Sequence, residues 1–227
     1  MIGPVEHTAF TVDPWDPGYG TAVDGEAFAD PETPSRAEVD LDVELPAAEW
    51  RPLAPPPGTA PPEVLLIADG VRRIDARIWL HDPDGGMPSP GIAASYAAGV
   101  VRCTPGGGPA VLAAAEVGRG VFSAAPQVPE IVTAAATYRA QPVYDSRVTD
   151  LSLALQRSLT RLEEELAERC RAETGGGDLL VVDGPLRGRS HLPRTVGYIK
   201  THHAAYLESP QAEVVSRLAP GQRTPVF

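Results

Sequence analysis

Asp178-Leu179-Leu180-Val181-Val182-Asp183-Gly184-Pro185-Leu186 is the stretch whose reading decides the fold. Four apolar residues in a row suit a strand buried on both faces, as in a parallel sheet. Gly184-Pro185 stops the strand, because glycine admits a tight turn and proline has no amide to donate. Asp183 then stands at the strand's carboxyl end, where open α/β sheets place their chemistry. An earlier copy of the pattern runs Val64-Leu65-Leu66-Ile67-Ala68-Asp69-Gly70. If the two strands are neighbours, Asp69 and Asp183 bring two carboxylates together. Such a pair repels itself unless something positive holds it, most simply a divalent metal. Each Asp-Gly taken alone also fits an ordinary turn; the repeated context is what favours a site.

Upstream of the second copy, residues Arg147 to Glu173 read as a long helix. Asp145 or Ser146 supplies its cap and Gly175-Gly176-Gly177 ends it. At about 100° per residue, Leu151, Leu155, Leu159, Leu162 and Leu166 fall on one stripe, which should pack on the sheet. Glu164 points away from that stripe and is expected in solvent. Glu163 and Glu165 flank it, and either can lean over the sheet edge toward Asp183. All three glutamates equally fit a wet face paired with Arg161 and Arg169. Glu116, among alanines in a strand, is the next candidate for a third carboxylate.

Around these elements the chain reads as follows. Arg72–Leu80 is a second strand, pairing back through a tight turn at Gly70. Ile92–Cys103 is a third, followed by a turn at Gly106-Gly107-Gly108. Val111–Val117 and Gly120–Ala124 form a hairpin through Gly118. Thr133–Val143 fits helix or strand. Thr195–Lys200 is a further strand, Ala212–Leu218 a short helix, and Arg223–Phe227 the start of one more strand. Residues 1–60 read as a proline-rich arm with Trp15, Tyr19 and Trp50 as anchors. Within it, Val39–Leu45 alternates apolar and acidic residues like a half-exposed strand, and Pro55-Pro56-Pro57 reads as a linker. The expected organisation is an arm at 1–60, serving association and adding little to the core, and a domain at 61–227.

A formal net charge of −11 argues against binding nucleic acid over the whole surface. It leaves room for a local basic groove. Arg72 and Arg73 follow the first Asp-Gly, while Arg187, Arg189 and Arg194 follow the second. Lys200, the only lysine, stands near a strand end, where it can hold a phosphate as a point charge. Of His202 and His203 at most one can face a site, since neighbouring strand residues point opposite ways. Cys103 and Cys170 show neither metal spacing nor a disulfide framework, so a reducing cytoplasm is the default compartment. No apolar run reaches the length of a membrane span, and the N-terminus lacks the basic start and apolar core of a signal peptide. There is no G-x-S-x-G elbow and no phosphate loop. Carboxylate-bound Mg²⁺ or Mn²⁺ hydrolysing a phosphodiester is the chemistry these acids suit.

Strand, hairpin partner, third strand, helix, strand is the order of the ribonuclease H-like α/β core. Its metal site takes one acid from the first strand, one from the long helix and one from the strand after it. Ala68-Asp69-Gly70-Val71-Arg72-Arg73, then Leu179–Leu186 with Asp183-Gly184, then Val196-Gly197-Tyr198-Ile199-Lys200, resemble in that order the NurA family of DNA-end-processing nucleases. The resemblance covers residues 63–207. It implies a ribonuclease H-like mixed sheet flanked by helices, and DNA cleavage dependent on Mn²⁺ (or Mg²⁺). It also implies a homodimer and partnership with a HerA-like hexameric ATPase. Asp69 and Asp183 match the family's metal-binding aspartates, and a helix glutamate is expected, assigned by geometry to Glu163 or Glu165. Arg72, Arg73 and Lys200 are the candidates for substrate contact. Val71 departs from the small polar residue usual after Asp-Gly. The family's last strands and a late metal-binding histidine fall beyond Phe227, so weak Mn²⁺ binding and slow or absent cleavage are expected of these 227 residues. The other reading is a non-catalytic interaction subunit of the same fold, docking on a translocase through the N-terminal arm.

Overall fold

The structure, a computed structural model, describes residues 10–13, 38–82, 84–144, 147–173, 176–186, 188–200 and 205–227. In chain order its elements are β1 (Phe10–Val12), β2 (Val64–Leu80), β3 (Ser89–Cys103), β4 (Val111–Ser123), β5 (Ile131–Val132) and β6 (Thr137–Pro142). There follow α1 (Val148–Glu173), β7 (Asp178–Asp183), β8 (Thr195–Tyr198) and α2 (Gln211–Ser216). They make an α/β chain whose eight-stranded sheet runs β5-β6-β4-β3-β2-β7-β8, with β1 paired to β2. β2, β3 and β4 form an antiparallel meander. After α1 the chain returns on the other side of β2, where β7 pairs parallel to β2 and β8 parallel to β7.

Two expected hairpins are absent, for steric reasons. Gly70 is not a turn: β2 runs through it for 17 residues, with Gly70 opposite Ala98 of β3. Its φ is not positive, whereas Gly184, in the second Asp-Gly, has φ 84° and does turn the chain. Glycine is needed at 70 for space: a Cβ there would fall on the Glu163 carboxylate and 2.7 Å from Leu159 Cδ1. Gly118 likewise lies inside β4, because the Tyr96 ring packs where its Cβ would be. The ambiguous stretch before the helix is β6, a strand parallel to β4.

The leucine stripe of α1 packs as the periodicity requires. Leu151, Leu155, Leu159, Leu162 and Leu166 are all buried. Leu151 and Leu155 meet Ile92, Ala94 and Phe122. Leu162 and Leu166, with Ala167 and Cys170, meet Leu66, Ala68, Ala98, Val100, Leu180 and Val182. Each fully buried leucine contributes about 1.5–3 kcal/mol. Asp145, Ser146 and Gly175 lie outside the described residues.

The described residues divide into two units, with one cut between Pro61 and Pro62, beside the expected boundary at residue 60, and with a different membership on either side of it. Residues 10–13 group with Pro62–Tyr198, while residues 38–61 group with Ile199–Phe227. The N-terminal region thus adds a strand to the sheet: Phe10, Thr11 and Val12 pair with Leu80, Trp79 and Ile78, and the Trp79 indole donates to Asp13 Oδ1 at 2.7 Å. Trp15 and Tyr19 lie outside the described residues.

In the second unit Trp50 packs on Phe227, ring centroids 5.4 Å apart, and donates its indole N–H to the Leu41 carbonyl at 2.9 Å. Val39–Leu45 is not a strand but a run of turns. Asp40 accepts from the amide of Asp42, and Asp42 from that of Ala47, so local side-chain bonds replace a ladder. Nor does Arg223–Phe227 start a strand: Arg223 forms one antiparallel bridge with Leu53, exchanging bonds of 2.9 and 3.0 Å.

Arg223 grips the Glu44 carboxylate with both terminal nitrogens, at 2.6 and 2.7 Å, and the Val226 amide adds a third bond at 2.8 Å. These bonds, the Arg223 ones first, lower the Glu44 pKa from 4.5 to about 2. A depressed folded-state pKa stabilises above the ordinary value, and that contribution is lost as pH falls. The Trp50–Phe227 contact is therefore expected to loosen as pH falls from 4.5 toward about 2. Glu44→Gln should abolish that dependence. The Trp50 indole resonance, followed by NMR across this range, reads both effects; identical curves for the two proteins would contradict the assignment.

Candidate functional site

The parallel pairing of β2 with β7 sets the site. Its last register pair is Ala68 with Val182, so Asp69 and Asp183 come next on adjacent strands and on the same side of the sheet. β7 stops there. Gly184 turns away, its amide bonded to the Tyr198 carbonyl at 2.9 Å. β2 continues, and the Gly70 amide donates to Asp69 Oδ1 at 2.8 Å.

Alternation turns Leu66, Ala68 and Gly70 toward α1. The bare backbone at Gly70 admits the Glu163 side chain, which is 15% exposed. Burial pushes the Glu163 pKa up; the Arg189 guanidinium opposes this, and the negative charges of Asp69 and Asp183 add to it. Of the flanking pair, Glu163 is thus the glutamate in the field of both aspartates, while Glu165 is exposed. Glu164 is not in open solvent: it is half-buried, its carboxylate against Gly188 of the loop after β7. The turn that loop takes at Gly188, φ 72°, brings it close. Glu116 faces the helix but pairs with Arg169 Nη2 at 2.5 Å.

Arg189 faces Glu163. Its Nη2 lies 3.3 Å from Glu163 Oε2, and the residue is 4% exposed. Its Nε is buried without a hydrogen-bond partner. Leu186 and Leu192, either side of Arg189 in the same loop, pack on the core. The two arginines after Asp69 separate, since consecutive strand residues point opposite ways. Arg72 lies on the helix side, as Glu163 does, whereas Arg73 binds Asp75 at 3.0 Å. Asp75 sits at a bulge and also accepts from Ser95 Oγ at 2.5 Å and Tyr138 Oη at 3.1 Å. Lys200 follows β8 and belongs to the second unit. Arg187, His202 and His203 lie outside the described residues.

Among the described residues, no three His, Cys, Asp or Glu side chains are arranged to hold a metal ion as they stand. The reason at this site is visible: Glu163 reaches the sheet from the helix side and is bonded to Arg189, while the aspartates project from the other face. The donors themselves are carboxylate oxygens from β2, α1 and β7, the set that hard divalent cations take. Burial is the main cause that raises the Glu163 pKa, and the nearby aspartate charges add to it. In donor chemistry the residues fit Mg²⁺ or Mn²⁺.

Gly70→Ala tests the packing on which this arrangement depends. The added methyl must displace Leu159 or Glu163, an overpacking that costs about 1–3 kcal/mol. Urea unfolding should show the loss; a neutral substitution would mean that Glu163 does not rest on Gly70.

No described helix is long and apolar enough to cross a membrane. Compared with models of known protein families and with curated proteins, the sequence finds no match.

Proposed function

We propose that the chain is a metal-dependent DNA nuclease of the ribonuclease H-like class, similar to the NurA family, with Asp69, Glu163 and Asp183 as its metal ligands. The observation that carries this reading is that the parallel β2–β7 register sets Asp69 and Asp183 side by side at the strand ends, with Glu163 of α1 packed against Gly70, the residue after Asp69. The strand order β4-β3-β2-β7-β8, with α1 between β4 and β7, supports the fold assignment. Bound by these carboxylates, Mg²⁺ or Mn²⁺ would activate a water and stabilise the leaving oxygen of a phosphodiester. The protein's own share is orientation. The rigid β2–β7 register fixes the two aspartates, and α1 holds Glu163 through the leucine stripe. Arg72 lies on the Glu163 side of the sheet, placed to meet a phosphate. A homodimer, cytoplasmic residence and a HerA-like hexameric ATPase partner belong to the same proposal.

One observation favours the second reading, a non-catalytic interaction subunit: Glu163 is already engaged by Arg189. Incubation of 5′-labelled single- and double-stranded DNA with Mn²⁺ separates the two. The nuclease reading expects cleavage by the wild type and none by Asp69→Asn. Equal products from both proteins, or none from either with the fold intact by circular dichroism, would refute it.

A further inference from the structure

Within the second unit a cavity of about 250 Å³ opens between Ala47 and Trp50 on one side and Pro210, Gln211, Val214 and Arg217 on the other. Sites for drug-sized ligands measure about 300–1,000 Å³, so this one has room for a single small body. Trp50 and Val214 are buried and give it an apolar wall. The Trp50 indole N–H is already spent on the Leu41 carbonyl, which leaves the ring as apolar surface. Gln211 is the buried polar group of the wall, at 8% exposure. Its Nε2 donates to the Ala47 carbonyl at 3.1 Å. That bond fixes the amide's orientation and leaves Oε1 an acceptor with no bond among the described residues. Arg217 is exposed and donates Nε to the Glu213 carbonyl at 3.2 Å. Its Nη1 and Nη2 have no partner among the described residues, since the Glu213 carboxylate, one turn back, accepts from Ser209 Oγ instead.

The cavity thus joins an apolar wall to one acceptor and one fork of cationic donors. A guanidinium takes a carboxylate through two parallel bonds, and an amide oxygen takes an N–H. An apolar side chain carrying both a carboxylate and an N–H is an amino-acid residue with its carboxyl group free. We propose that this cavity binds such a residue, with the carboxylate on Arg217, the N–H on Gln211 and the side chain against Trp50 and Val214. A free apolar amino acid and the carboxyl end of a polypeptide present the same groups. The proposal uses none of the sheet's acids and does not rest on the nuclease reading.

The test follows the Trp50 indole N–H resonance of the full chain by NMR during titration with leucine, N-acetyl-leucine and N-acetyl-leucinamide. A saturable shift from leucine, from N-acetyl-leucine or from both is expected, and which of them acts tells a free amino acid from a chain end. N-acetyl-leucinamide, which lacks the carboxylate, should bind at least about tenfold more weakly, the loss of one charge-assisted pair. Arg217→Gln should weaken the acids by the same factor and leave the amide unchanged; the residue is exposed, so the fold should survive. No saturable shift from either acid would overturn the proposal. So would an amide as effective as the acids, or acid binding that persists undiminished in Arg217→Gln.

Discussion

Asp178→Ala is expected to destabilise the sheet-containing unit by about 3–5 kcal/mol, the cost of leaving one member of a buried ion pair alone. Asp178 and Arg171 are bonded side chain to side chain, each 6% exposed. Arg171 also donates to the Arg194 carbonyl at 3.3 Å. Arg194 in turn donates Nε to the Asp178 carbonyl at 2.6 Å, and its own carbonyl receives the Leu180 amide at 2.9 Å. The network ties the last turn of α1, the first residue of β7 and the approach to β8 into one knot. With the carboxylate gone, the buried guanidinium loses its ionic partner. Urea denaturation measures the loss. The double replacement Arg171→Met with Asp178→Leu should recover much of it, because apolar residues of similar volume can stand in for a buried pair. A single-site loss under about 1 kcal/mol would place the pair among surface bridges instead.

The second large effect concerns the proposed chemistry. Asp183→Asn keeps the shape of the side chain and removes its charge. On the nuclease reading it should lower Mn²⁺-dependent cleavage about 10³-fold, corresponding to several kcal/mol of charge stabilisation in the transition state. The fold should survive: Asp183 is exposed at the end of β7, and the core beneath it is built by Leu180 and Val182. Circular dichroism and the urea midpoint check that the loss is one of activity. Full cleavage by the variant would remove Asp183 from the site.

The sequence shows the parts of this structure that follow from local periodicity. The two apolar runs are parallel neighbours, and the five leucines of α1 do face the sheet. What it does not show is set by distant partners. Asp69-Gly70 and Asp183-Gly184 read alike, yet only the second turns. At Gly70 the backbone is straightened by pairing with β3 and kept bare for Glu163, and neither cause is near it in the chain. Glu164 looked solvent-facing on a helical wheel, which contains no loop to pack Gly188 against it. The Arg171–Asp178 pair had no signal, since two charges seven residues apart across a glycine turn are commonplace. Arg223 to Phe227 suggested a strand by composition, but Glu44 captures both the Arg223 side chain and the Val226 amide.

Asp69, Glu163 and Asp183 are proposed to act as one divalent-cation site. Mn²⁺ titration calorimetry of the wild type beside Asp69→Asn, Glu163→Gln and Asp183→Asn tests it most directly. The account predicts a saturable site in the wild type that each of the three substitutions weakens, while Glu116→Gln, at the carboxylate held by Arg169, leaves it unchanged. Saturable binding that persists undiminished in all three variants, or its absence from the folded wild type, would contradict the account.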